Sequence, residues 1–135
     1  MTHQNNTQWE ELLQQAIEAR EYAYTPYSHY KVGAALLTTD GKIYRGCNIE
    51  SASYTPSNCA ERTAIFKAVS EGDRNFTAIA VVTENGGAPC GVCRQVMREF
   101  APNLTIIIGD MQGNYQVFTL PELLPHSFGP ENLPT

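Results

Sequence analysis

Three cysteines and one glutamate carry the chemistry open to this sequence. Cys59-Ala60-Glu61 opens one apolar stretch, and Pro89-Cys90-Gly91-Val92-Cys93 opens another, with 31 positions between Cys59 and Cys90. Cys90 and Cys93 are three apart, so on a helix they share one face and can reach one metal ion. Cys59 completes a set of three thiolates. Zinc suits such a set, at about 2.3 Å per sulfur. A structural zinc site is closed by a fourth protein ligand, whereas a catalytic site leaves that position to water. Three cysteines, with a carboxylate two residues from a ligand, therefore point to a hydrolytic centre holding one Zn²⁺ per chain. Glu61 is placed to exchange a proton with the bound water.

The electrostatics of the two segments agree with this reading. Both signals stand at the starts of predicted helices, where free N–H groups and the positive end of the dipole stabilise thiolates. Three thiolates around a divalent ion leave excess negative charge, which would blunt the acidity of its water. Arg62, next to Glu61, can hydrogen-bond to the sulfurs and offset that charge. A C-x-x-C pair alone is often a redox pair or half of a zinc knuckle. The combination is more specific: a Cys-x-Glu element followed by P-C-x-x-C is the recorded signature of the zinc deaminases, a match and not a deduction from spacing. Cys47 has no ligand spacing and reads as a small core residue in a strand. His3, His29 and His126 fall in a tail or in loops, without motif spacing, and suit surface or packing roles.

The elements that must hold these residues follow from periodicity and breakers. Thr7 and Glu10 form a capping-box pattern, and Trp9, Leu12, Leu13, Ala16 and Ile17 recur at helical spacing, predicting a helix over about 8–23 before Pro26. Strands are predicted over 31–38 and 42–49, joined at Asp40-Gly41. A loop over 51–58 leads to a helix over 59–71, capped at Gly72. A buried strand over 77–83 and a Gly-rich loop over 84–89 precede a helix over 90–100, stopped by Pro102. Two more strands, 104–109 and 115–120, turn around Gly113. The order α-β-β-α-β-α-β-β predicts a single α/β domain over 1–135, a three-layer sandwich with one mixed five-stranded sheet flanked by helices.

Composition narrows the substrate. The 135 residues are 42% hydrophobic and 17% charged, which is globular composition. Net charge is −5, and nine Lys and Arg are spread without a run. A polynucleotide needs a basic stripe, so no nucleic-acid partner is expected, whereas a single nucleoside carries no phosphate and needs none. The N-terminus has no basic region followed by an apolar stretch, and the apolar runs are too short to span a bilayer. A cytoplasmic protein with reduced cysteines and no membrane partner is the expectation.

With these residues in view, the chain resembles the cytidine deaminases, specifically their small homotetrameric three-cysteine type. Tyr24-Thr-Pro-Tyr-Ser-His-Tyr-Lys-Val-Gly-Ala-Ala35 is similar to the family's P-Y-S-x-F-x-V-G-A-A segment. Cys47-Asn-Ile-Glu50 resembles its N-x-E element. The segments from Asn58 to Ile65 and from Pro89 to Gln95 resemble its two zinc segments, and Leu123-Leu-Pro-His-Ser-Phe128 its C-terminal L-L-P-x-x-F. The resemblance implies that Cys59, Cys90 and Cys93 bind zinc and that Glu61 shuttles the proton. It implies that Asn48 and Glu50 hold the ribose 3′-hydroxyl and that the Ala60 backbone contacts the base. Tyr30 and Phe128 would flank the nucleoside, with Phe128 supplied by a neighbouring subunit of a homotetramer.

The reaction so implied is hydrolysis of cytidine and 2′-deoxycytidine to uridine and 2′-deoxyuridine plus ammonia, a step of pyrimidine salvage. The chain departs from the family pattern at Tyr30, where Phe is usual, and a buried hydroxyl there needs a partner. Tyr22, Tyr24, Tyr27 and Tyr30 otherwise read as a core or interface cluster. Two other readings stand beside this one. The substrate of the same chemistry could be a nucleotide, a free base or an aminonucleoside antibiotic; the N-x-E element argues against a free base and the acidic balance against a nucleotide. A non-catalytic zinc-binding module would lack any use for Glu61.

Overall fold

The stripe of Leu12, Leu13, Ala16 and Ala19 is buried along α1 (Thr7–Arg20), as an amphipathic period requires. The computed structural model describes residues 7–54 and 56–133, so His3 lies outside the described residues. Thr7 sits inside the first turn, and the residue before it is outside the described range, so the predicted capping box is not seen as a cap. The helix stops at Arg20 and not near 23. The N–H groups of Glu21, Tyr22 and Ala23 reach back only three residues, and Tyr24 then bonds to Asn48.

Five strands form one mixed sheet in the order β2-β1-β3-β4-β5. They are β1 (Gly33–Thr38), β2 (Ile43–Cys47), β3 (Phe76–Val82), β4 (Thr105–Gly109) and β5 (Tyr115–Thr119). Only β3 and β4 run parallel; β1–β2, β1–β3 and β4–β5 are antiparallel. All six residues of β1 are buried, because helices cover both faces of the sheet. On one face α1 packs Leu12, Leu13 and Ala16 against Ala35, Leu37, Ala80 and Ile107. On the other, α2 (Ala60–Ser70) and α3 (Gly91–Phe100) pack Ala64, Ile65 and Met97 against Ala34, Leu36, Ile79, Val81 and Ile106. This is the predicted three-layer sandwich. It adds a short α4 (Leu120–Leu123), where a strand residue was expected at 120, and a closing 3₁₀ turn over Pro130–Asn132.

Two glycines set the depth of the outer layers. A Cβ at Gly33 would collide with the carbonyl of Ala16, and one at Gly46 with the carbonyl of Ala60. Each glycine thus lets one helix lie directly on the sheet, α1 at Gly33 and α2 at Gly46. Among the described residues, no helix is long and apolar enough to cross a membrane.

Candidate active site

The antiparallel pairing of β1 with both neighbours decides where the chemistry gathers. Gly33, the first residue of β1, pairs with Cys47, the last of β2, and with Val82, the last of β3. The segments 28–32, 48–50 and 83–88 therefore meet at one end of the sheet. Helices α2 and α3 both begin from chain leaving that same end, so their N-termini point there too. Between them lies a pocket of about 300 Å³. Tyr30, Asn48, Glu50, Cys59, Ala60, Glu61 and Cys90 line it, all residues singled out in the sequence.

Cys59 and Cys90 occupy the N-cap positions of α2 and α3 in extended conformation, and their side chains cap no backbone N–H. Cys93 lies one turn into α3, fully buried. The three sulfurs all fall within 4.8 Å of one another, and Cys59 Sγ is 3.9 Å from Cys90 Sγ. Sulfurs at 2.3 Å from a tetrahedral zinc stand about 3.8 Å apart, so the donor set fits that ion. Among the described residues no histidine joins this cluster, and neither does Cys47. Cys47 ends β2 half-buried and is not among the packed core residues, so it is not the core cysteine the sequence predicted; burial pushes its thiol up.

Arg62 stands outside the pocket and donates from Nη2 to Cys59 Sγ at 3.2 Å. The hydrogen bond with Cys93 and then Arg62 draw the Cys59 thiol down to about 5, while Cys93, its partner in that bond, is pushed up. Arg62 Nε is buried with no hydrogen-bond partner among the described residues.

Glu61 is buried, only 4% exposed, yet lines the pocket. Burial raises its carboxyl to about 7, and the Cys59 charge adds to the rise. A carboxyl poised near neutrality can take a proton and return it.

Asn48 and Glu50 lie just past the end of β2, in a segment bridged to Tyr24 and Asn58; the strand predicted over 42–49, which took in Asn48, stops at Cys47. Both already hold the neighbouring wall. Asn48 donates to the Tyr30 carbonyl at 2.8 Å and accepts from Val32 N–H at 2.9 Å. Glu50 accepts from the N–H groups of Tyr27 and Ser28, each at 3.1 Å, and from the Ser28 hydroxyl. The Ser28 bond is the chief cause of the lowered Glu50 pKa.

Tyr30 keeps its hydroxyl satisfied, as the departure from Phe requires, by donating to Asn85 Oδ1 at 2.8 Å. Its three companions Tyr22, Tyr24 and Tyr27 are 73%, 56% and 53% exposed, so they form no part of this chain's own core. His29 and His126 are exposed, as expected.

Phe128 does not line the pocket. Its ring is 55% exposed and borders a separate apolar groove with Phe66, Val92, Phe100 and Leu133. The backbone behind it is pinned to α3. Gln95 bonds both its N–H and its carbonyl, Arg94 donates to the Leu123 carbonyl at 2.8 Å, and Arg98 donates to Ser127 Oγ at 2.9 Å. The sequence reading missed Ser28, Thr83 and Gly87 as lining residues. Ser28 stands inside the P-Y-S segment and was within reach. Thr83 and Gly87 carried no signal beyond a Gly-rich loop.

Residues 6–108 match the family described as the cytidine and deoxycytidylate deaminase zinc-binding region. A cytidine deaminase of Halalkalibacterium halodurans is 55% identical over 125 residues, covering 90% of this chain and 95% of the relative. One of Sporosarcina psychrophila is 50% identical over 127 residues, covering 92% and 93%. The crystal structure of a cytidine deaminase from Burkholderia pseudomallei superposes with a TM-score of 0.85 at 52% identity, covering 95% of this chain and all of that one.

Proposed function

The chain belongs to the cytidine and deoxycytidylate deaminase family, and on that premise we propose a role for each residue of its pocket. It is a zinc-dependent hydrolase that converts cytidine to uridine and ammonia, consistent with pyrimidine salvage. We read residues 1–135 as one catalytic domain and 2′-deoxycytidine as a second substrate.

The carrying observation is that Glu61, buried in the pocket, stands beside a cluster of three cysteine sulfurs with zinc spacing. Cys59, Cys90 and Cys93 would hold the ion, which supplies Lewis acidity to the attacking water. Glu61 accepts a proton from that water and delivers it to ring N3, so that oxygen adds at C4. It then carries the second proton to the amino group, which leaves as ammonia. Burial of Glu61 excludes bulk water from this transfer. The Ala60 backbone contacts the base. Glu50, with acceptor capacity left, and Asn48, with a second amide N–H to donate, take the ribose 3′-hydroxyl, and the Tyr30 ring flanks the nucleoside.

The assembly we propose is a homotetramer with shared sites. Phe128 projects its ring from a tail fastened to α3, away from its own pocket, which suits contact with a neighbour's nucleoside. Phe66, Val92, Phe128 and Leu133 expose apolar surface along one groove, the pattern of a face covered in an assembly. Free thiolate ligands suit a reducing compartment, so we place the protein in the cytoplasm.

The test is the ultraviolet absorbance of purified protein mixed with cytidine, deoxycytidine, cytosine, dCMP or an aminonucleoside antibiotic. Both cytidines should be consumed with release of ammonia. Preference for the antibiotic, the free base or the nucleotide would overturn the substrate assignment.

A further inference from the structure

The family pattern places Phe at position 30, and this chain adds a hydroxyl there. That hydroxyl ends 2.8 Å from Asn85 Oδ1, in the Gly-rich loop after β3. The start of the loop is tied to the end of β4, where Thr83 N–H donates to the Gly109 carbonyl at 3.2 Å, and beyond it Gly87 N–H donates to Thr83 Oγ1 at 2.8 Å and Thr83 Oγ1 to the same Asn85 Oδ1 at 3.3 Å. The Tyr30 hydroxyl also lies close to this backbone, since a Cβ at Gly87 would sit 3.3 Å from its oxygen. On its other flank, the segment carrying Tyr30 is held by Asn48 and Glu50. The rim of the pocket is thus three stretches of chain, and the Tyr30–Asn85 bond joins the third, 83–88, to the other two.

We propose that Asn85 is a positioning residue for nucleoside binding: through the Tyr30 hydroxyl it fixes the 83–88 segment as part of the pocket wall. The proposal rests on the reading of this pocket as a nucleoside site. Asn85 does not line the pocket itself, whereas Thr83, Gly87 and Ala88 do. Its effect therefore passes through the wall and the ring it holds. With the bond cut, the loop samples more conformations, and ordering it becomes a cost of binding. The chemistry at Glu61 and the cysteines keeps its own supports in α2 and α3.

The experiment compares Tyr30→Phe, Asn85→Ala, the double variant and Asn85→Asp as zinc-loaded enzymes, reading kcat, KM, zinc content and amide hydrogen exchange over 84–88. Tyr30→Phe and Asn85→Ala should each raise KM for cytidine about three- to tenfold, the scale of one hydrogen bond. Their kcat should stay within about twofold, since uniform binding is what is lost. The double variant should be no worse than the worse single, because one bond is lost only once. Asn85→Asp keeps an acceptor oxygen and should restore the wild-type KM. Exchange over 84–88 should quicken in Tyr30→Phe and Asn85→Ala and return to the wild-type rate in Asn85→Asp. Unchanged KM, additive losses, or a fall in kcat with loss of zinc would each overturn the proposal. If the wild type consumes no nucleoside, the functional reading fails instead, and the exchange rates alone decide whether the bond holds the loop.

Discussion

Arg62 Nη2 lies 3.2 Å from Cys59 Sγ, on the first turn of α2. The guanidinium and the sulfur are three residues apart, so the helix itself sets their separation. A cation fixed there offsets the charge of a three-thiolate centre, and the cysteines are expected to act as one ligand set. Metal analysis of Cys59→Ala, Cys90→Ala and Cys93→Ala should show severe zinc loss in each. Cys47→Ala, outside the cluster, should keep one zinc per chain. Full retention in any of the first three removes that residue from the set.

Glu61→Gln should fold and hold zinc while losing nearly all turnover. A single general acid–base group is worth about 10²–10⁴-fold, and here one carboxyl serves successive transfers, so the loss should reach the upper end. Because Glu61 is buried and nearly isosteric with Gln, thermal stability should change little. A Glu61→Gln enzyme within about tenfold of wild type, well short of that range, sinks the mechanism.

Asn48 and Glu50 combine two duties, and their variants should show both. Each holds the 27–32 wall, and each is assigned to the ribose 3′-hydroxyl. Asn48→Ala should raise KM for cytidine up to about tenfold, the scale of one hydrogen bond, and Glu50→Ala more, because its bond is to a charged group. They should also lose discrimination against 3′-deoxycytidine. Glu50 has a folded pKa below its unfolded value, caused first by the Ser28 hydrogen bond. Its contribution to stability is therefore full above the unfolded carboxylate pKa and disappears as pH falls through the folded one. Glu50→Gln should flatten the acid side of the melting-temperature profile. If both variants still separate cytidine from its 3′-deoxy analogue as the wild type does, the ribose assignment fails.

The proposed sharing of sites between subunits makes a complementation claim. Phe128→Ala and Glu61→Ala should each be impaired alone. When the two are dissociated, mixed and reassembled, some sites join an intact Glu61 to a neighbour's intact Phe128, and activity should partly return. Mixed oligomers, verified by mass, that remain no more active than the separate variants would place Phe128 outside the site.

The cysteine cluster was legible because Cys90 and Cys93 stand one helical turn apart and Cys59, two residues before Glu61, opens a second helix. The layers were legible too, since α1 and the inner strands write their burial into apolar period. Strand limits were less so. Val32 reads as strand, yet its N–H goes to the Asn48 side chain, and β1 starts one residue later. The sequence cannot display such a competitor 16 positions away. The Tyr30–Asn85 bond joins residues 55 apart, and no local pattern marks it. Only the resemblance and a place in a Pro-flanked tail mark Phe128 in the sequence, and the groove it borders comes from the meeting of α2, α3 and the tail.

Cys59 and Cys90 also constrain how this enzyme can be improved. Each holds an N-cap position, where Ser, Asp or Asn is typically worth about 1 kcal/mol more than a non-capping residue. Thermostabilisation by filling weak caps would select those residues at both places, and each gain in melting temperature would remove a proposed zinc ligand. At positions 59 and 90 the best residue for the helix and the best residue for the reaction are different amino acids. Engineering for heat resistance has to leave these two helix starts alone and work on the far ends of α2 and α3.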